Sequence, residues 1–153
     1  MVYLDSSSKL LDRIQRLSNS CLRYIFGVQR DTHITPYREK LGWLTCNMRR
    51  LYFAMIIMYK LLRLGKPEYL GLIFDRYTSK KTARGELLTR ELTLPQPENW
   101  HGTSSFQVQG TKSWNSLPSK IRFLPSLNAF KTALFTYLKT LSHTYDGSVF
   151  KCV

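Results

Sequence analysis

Residues 45–64 read TCNMRRLYFAMIIMYKLLRL, and this stretch predicts a helix that is apolar on almost every side. Its middle, residues 51–59, is an unbroken apolar run. Charged residues stand at its two ends: Arg49 and Arg50, then Lys60 and Arg63. A helix without a water-facing side is normally buried, and the run is less than half of the roughly 20 residues that a transmembrane span needs. We therefore expect a small, mainly α domain around one buried central helix.

The ends of this stretch carry helix start and stop signals. The hydroxyl of Thr45 can accept a hydrogen bond from an N–H group of the first turn. Gly65 follows the last apolar turn, and Pro67 comes two residues later, where a helix cannot easily continue. The rest of the chain must then supply amphipathic surfaces that cover this helix.

Length and composition predict one domain spanning residues 1–153. Hydrophobic residues make up 43% of the chain, which is enough for a core. The three cysteines are an odd number without close spacing, which disfavours a disulfide framework or zinc site and favours a reducing compartment. No basic segment followed by an apolar stretch occurs near Met1, so we expect no secretory signal and an intracellular location, nuclear or cytoplasmic.

The charge balance is strongly basic, since 23 Lys and Arg against 10 Asp and Glu give a net charge of +13. The basic residues are spread along the chain, so no single tail accounts for the excess. Such an imbalance carries no information about the fold. It predicts attraction to polyanions, either nucleic acid or an anionic membrane.

Residues 8–26 predict a first helix with an apolar side and a basic side. Spacings of three and four mark the apolar side, which we expect to be buried: Leu10, Ile14, Leu17, Cys21 and Ile25. The opposite side carries a stripe of cations: Lys9, Arg13, Arg16 and Arg23. At ~1.5 Å per residue the stripe is about 21 Å long. Two interpretations of the stripe are equally supported: it binds phosphates, or it is only a solvated face of the helix.

Further helices are predicted on both sides of the central one, at residues 36–41, 68–74, 111–117 and 126–141. Residues 143–153 are expected to form a disordered tail. Residues 75–105 predict an irregular basic loop, because proline, glycine and polar residues are frequent there and helical periodicity fades.

Two features of this loop region bear on fold and function. The short alternating runs Leu88–Leu94 and Phe106–Val108 predict a small β-hairpin insertion. The loop also holds a second candidate phosphate-binding cluster: Lys80, Lys81 and Arg84. Simple solvation is the alternative for this cluster.

Several stretches carry a resemblance to a known family: LLDRIQRLSNSCLRYIFG (10–27), TPYREKLGWL (35–44), RRLYFAMIIMYKLL (49–62), SFQVQGTKSWNSLPSKIR (105–122) and PSLNAFKTALFTYL (125–138). In this order they resemble the C-terminal end of the reverse transcriptase polyprotein of jockey-type, LINE-like non-LTR retrotransposons. The resemblance covers about residues 10–141. Its most specific part is Trp114-Asn115-Ser116-Leu117-Pro118, with Phe106 and Gly110 before it and Ile121-Arg122 and Phe130-Lys131 after it.

In that family an endonuclease and the fingers and palm of the polymerase precede the matching region. The resemblance therefore implies a helical segment after the palm, at or beyond the thumb, which holds template and primer and performs no chemistry. Thr45-Cys46 departs from the family pattern, which has a proline soon after Gly-Trp-Leu. That departure affects only the start of the central helix.

Catalytic chemistry is not expected of this chain. Polymerases need carboxylates that converge on two metal ions, and the sequence has no Asp-Asp or Asp-x-Asp pair. None of the three histidines pairs with a cysteine at ligand spacing. We expect no enzyme activity, no metal, no cofactor and no small-molecule substrate.

Two tryptophans leave a choice between base stacking and core packing. Trp43 and Trp114 can stack on bases, as aromatics do in single-strand binders, but large aromatic residues more often anchor a core. Core packing is favoured for Trp114, which is followed by Leu117, Pro118 and Ile121.

The function predicted from the sequence is that of a catalytically inactive remnant or fragment of a retrotransposon reverse transcriptase. It would bind the RNA or DNA backbone without sequence preference. The alternative is a protein-interaction module that packed on a palm domain and self-associates through an exposed apolar face. A weaker alternative is a basic surface that lies on anionic membranes. No transmembrane segment is expected.

Overall fold

The computed structural model describes residues 8–74, 92–96 and 105–144. Within these ranges the chain forms helices and no strand, so the prediction of a mainly α fold is confirmed. The helices are α1 (Ser8–Phe26), α2 (Thr35–Lys40), α3 (Cys46–Leu64), α4 (Glu68–Phe74), α5 (Phe106–Asn115), α6 (Ser119–Arg122) and α7 (Leu127–Thr144). Among the described helices, none has the length and hydrophobicity that crossing a bilayer requires.

The helix α3 begins and ends at the predicted signals. The hydroxyl of Thr45 accepts a hydrogen bond from the N–H of Met48 at 3.3 Å. At the other end Gly65 adopts a left-handed conformation with φ 61°, and its N–H donates to the carbonyl of Leu61 at 3.2 Å. Glycine suits this position because it has no Cβ to clash with the following carbonyl.

The main core lies where α3 meets α4, α5 and α7. Met55 and Met58 of α3 have no exposed surface, and neither do Phe130 and Leu134 of α7. Trp114 of α5 is 2% exposed, and its ring centroid lies 5.9 Å from that of Phe130. Removing this apolar surface from water is the dominant favourable term in folding.

Tyr59 joins α3 to α7 and to the turn that precedes it. Its ring stacks on Phe130 with centroids 4.4 Å apart, and its hydroxyl donates to the carbonyl of Leu124 at 3.0 Å. One turn later, Arg63 donates to the carbonyls of Phe123 and Leu124 at 3.3 and 3.2 Å. Both apolar and polar contacts therefore fix the α6–α7 turn on α3.

One side of α3 faces solvent, although the apolar run is unbroken. Phe53 is 57% exposed and Leu64 is 55% exposed. Arg49 and Lys60 are exposed too, and the four positions are separated by four, seven and four residues, which places them on one side of a helix. Hydrophobicity alone therefore overstated how much of α3 is covered by the described residues.

The predicted hairpin is wrong at Phe106–Val108, which forms the first turn of α5. Ser105 caps this turn, because its hydroxyl accepts from the N–H of Val108 at 3.4 Å. The buried residues of α5 are Val108, Gly110, Thr111 and Trp114. Their spacing is helical, but a run of three residues is too short to show that period. Residues 92–96 have no regular structure, and residues 88–91 lie outside the described residues.

Two other predicted segments are described only in part. The helix α7 continues to Thr144, so the prediction of a tail from residue 143 is wrong for its first two residues. The apolar side of α7 explains this, because Leu138 is fully buried and Leu141 packs against the core, which holds the last turn. Residues 145–153 lie outside the described residues, as does most of the 75–105 loop.

Asn115 fixes residues 92–96 against α5. Its Oδ1 accepts from the N–H of Leu92 and its Nδ2 donates to the carbonyl of Leu92, both at 2.8 Å. The side-chain amide thus pairs with a backbone as a neighbouring strand would, and Leu92 is left 7% exposed in the core. The buried Trp114 and Leu117 on either side give the Trp-Asn-Ser-Leu-Pro motif a structural role.

Met55→Ala is expected to lower the free energy of unfolding by about 2–5 kcal/mol, because it leaves a cavity at a fully buried position. Phe53→Ala is the matched control on the exposed side of α3 and is expected to cost under about 1 kcal/mol. Urea unfolding followed by circular dichroism measures both losses. Equal losses would show that the core does not lie on the Met55 side.

Asn115→Ala is expected to lower the free energy of unfolding by about 1–3 kcal/mol, because it leaves the backbone N–H and carbonyl of Leu92 without their partners. Ser116→Ala is the control, since the exposed Ser116 hydroxyl bonds only locally to the carbonyl of Ser113. Thermal unfolding of both variants measures the difference. A loss at Asn115 no larger than that at Ser116 would contradict the assigned role.

Candidate nucleic-acid interface

The helix α1 packs on the rest of the structure through a different side from the predicted one. The residues predicted to be buried are largely exposed: Leu10 by 43%, Leu17 by 66%, Ile25 by 54%, and Cys21 also. Of that set only Ile14 is half-buried, whereas Leu22 has no exposed surface. The predicted buried face of α1 is therefore wrong.

Hydrogen bonds help to decide which side of α1 faces α2 and α3. Gln15 Oε1 accepts from the N–H of Cys46 at 2.9 Å, which satisfies one of the free N–H groups at the start of α3. Asn19 Oδ1 accepts from Gln15 Nε2 at 2.9 Å and from Arg38 Nη2 at 2.8 Å. Apolar periodicity gives no indication of Gln15 and Asn19, because this contact is polar. Their spacing of four residues was the available signal.

Arg38 is the charged member of this contact. Burial lowers the pKa of the Arg38 guanidinium, and the neighbouring Cys46 and Glu39 oppose that change. Arg38 Nε is buried and makes no hydrogen bond among the described residues. Since Nη2 is bonded to Asn19, the side chain is occupied in holding α1 on α2.

Three of the four cations predicted to bind phosphate on α1 are exposed: Lys9, Arg13 and Arg16. Arg23 is half-buried, and its Nε is enclosed without a hydrogen-bond partner in the described part of the chain. Asp12 is the one carboxylate in α1. The exposed cations therefore span about 10 Å along the helix, at ~1.5 Å per residue, which is half of the predicted length.

The second predicted cluster is Lys80, Lys81 and Arg84, and these residues lie outside the described residues. The structure therefore gives no position for them relative to α1. Their role in phosphate binding stays a prediction.

The two tryptophans differ in environment. Trp114 is a core residue and presents no face on which a base can stack. Trp43 is 38% exposed, and the Arg49 guanidinium lies over its ring, 5.5 Å from the centroid. An exposed indole under a cation keeps the chemistry needed for stacking, so Trp43 remains the one candidate of the two.

The part of the chain that the structure describes contains no candidate metal site. No group of three or more His, Cys, Asp or Glu side chains comes together there as metal ligands would.

No family model, curated protein or solved structure matches the chain.

Proposed function

We propose that the chain is a catalytically inactive remnant or fragment of a retrotransposon RNA-directed DNA polymerase that binds the RNA or DNA backbone. The observation that carries the binding proposal is the exposure of Lys9, Arg13 and Arg16 along one side of α1, in a chain of net charge +13. The origin is supported by the sequence resemblance to jockey-type elements. A nuclear or cytoplasmic location is part of the same proposal.

The proposed binding works through phosphate neutralisation. Each Lys or Arg that pairs with a phosphate releases condensed counterions, so affinity falls steeply as salt rises. Backbone contacts carry no sequence information, and binding should therefore tolerate any sequence. Because Arg23 is half-buried, we assign it a smaller share than the other three cations.

Exchange of both Arg13 and Arg16 for Ala is expected to make the fall of log affinity with log salt shallower. The magnitude of the slope should decrease by about 2, one for each lost phosphate contact. Both side chains are exposed, so the fold should be nearly unaffected. Fluorescence titration with a labelled strand of about 30 nucleotides, at several salt concentrations, measures the slope.

The matched control exchanges Lys112 and Lys120 for Ala, because both are exposed and lie on α5 and α6 instead of α1. This control removes the same net charge. If the two double variants change the slope equally, total charge drives binding and the α1 stripe has no special role. If the wild type does not bind at low salt, the nucleic-acid proposal fails.

The purified chain is expected to extend no primer on any template, with Mg²⁺ or Mn²⁺, because the sequence lacks paired aspartates for the metals. A gel-based extension assay checks this, with a mock purification as the control for contaminating polymerase. Incorporation that follows the purified chain through successive columns would overturn the proposed lack of catalysis.

The exposed apolar side of α1 favours a second candidate function, that of a protein-interaction module. If the resemblance holds, the surface on which this module originally packed was the palm domain of the polymerase. Leu17 and Ile25 are each more than half exposed, and contiguous exposed apolar surface often marks a protein interface.

A further inference from the structure

The helix α1 carries a row of apolar side chains on a side that is largely exposed. We define the apolar stripe as Ile14, Leu17, Cys21, Tyr24 and Ile25. Tyr24 is 90% exposed, Leu17 66% and Ile25 54%. The buried Leu22 lies about 140° around the helix from Leu17, at about 100° per residue. The stripe therefore points away from the contact that holds α1 in place.

The spacing of the stripe suits packing against one more helix. Residues 14, 17, 21 and 24 follow one another at intervals of three, four and three. That alternation is the seam of a coiled coil, in which each side chain inserts between those of a facing helix. A seam of this kind presents one row of side chains, which fits a single facing helix better than a broad membrane.

The charged residues beside the apolar stripe indicate which kind of partner helix fits it. Arg13 lies about 40° from Leu17 around α1, and Lys9 and Arg16 follow on the same edge, at about 100° per residue. All three are exposed, and Asp12 is the one carboxylate in α1. A partner with carboxylates along the facing edge complements this row. A second copy would instead bring together two chains of net charge +13.

We propose that the apolar stripe binds an acidic amphipathic helix of another protein. The apolar side of that helix covers Leu17 and Tyr24, and its carboxylates lie beside Arg13 and Lys9. This inference goes beyond the proposed nucleic-acid binding and does not depend on it, because Leu17 and Tyr24 are uncharged and contribute nothing to phosphate neutralisation.

The probe is a fluorescent synthetic peptide of about four heptads, with Leu and Ile at the a and d positions and Glu at e and g, whose mutual repulsion keeps the peptide monomeric. A control peptide has the same composition in an order that distributes the apolar residues around the helix. The test variant exchanges Leu17 and Tyr24 for Gln. Leu72→Gln is the matched control, since Leu72 is 72% exposed on α4.

The wild type and Leu72→Gln are expected to bind the amphipathic peptide at least about tenfold more tightly than the control peptide, and the Leu17/Tyr24 variant is expected to lose about that factor. Circular dichroism should show unchanged folding, because both exchanged residues are exposed. The Leu17/Tyr24 variant should also bind the nucleic-acid strand as the wild type does, so failure of this inference and failure of the proposed function are separate results.

Three results would overturn the inference. The first is equal peptide binding by the wild type and the Leu17/Tyr24 variant, or no binding by either. The second is a wild-type dimer in sedimentation velocity that the variant lacks, since a second copy would then cover the stripe. The third is pelleting with vesicles of phosphatidylglycerol and phosphatidylcholine that the variant loses, since a membrane would then be the partner.

Discussion

The contact of Tyr59 with α7 holds together parts of the chain that are far apart in sequence. Tyr59 and Leu124 are separated by 65 residues, and the hydrogen bond between them closes a loop that contains α4, α5 and α6. Closing a long loop costs conformational entropy, and here the stacking of Tyr59 on Phe130 and the burial of Trp114 against the same ring offset that cost. Arg63 adds a second attachment to the carbonyl of Leu124. Without these contacts, α6 and α7 would lose a principal link to α3.

The helix α1 is held by a different kind of contact. One fully buried side chain, Leu22, the contact between the rings of Phe26 and Tyr37 at 5.0 Å, and a small set of hydrogen bonds through Gln15 and Asn19 join it to α2 and to the start of α3. Few buried apolar contacts are the mark of an element that opens at a lower free energy than the core. A ligand that binds α1 therefore acts on the least firmly attached long helix among those described, and it stabilises the docked position only if it prefers that position.

The sequence was a good guide to helix ends and a poor guide to helix orientation. The ends of α3 depend on Thr45 and Gly65, whose effects are local, so the chain around them contains the information needed. The orientation of α1 depends on Gln15 meeting Cys46, 31 residues away. The apolar pattern predicted a buried Leu17, because it contains no information about that polar contact. For the same reason the exposed apolar stripe was not predicted.

The candidate site shows the same division. The cationic row of α1 was predictable from helical spacing, since Lys9, Arg13 and Arg16 are exposed on one side. The half-buried state of Arg23 was not, because it depends on how α1 lies against its neighbours. Arg13 is the member of this row that lies nearest the apolar stripe, about 40° from Leu17 at about 100° per residue, so it is within reach of both proposed ligands. A phosphate and a partner carboxylate cannot pair fully with one guanidinium at the same time, so each ligand should weaken the other, and by linkage the two effects must be equal in free energy. Because both proposed ligands use Arg13 and Lys9, nucleic acid and the acidic helix are competitors for α1.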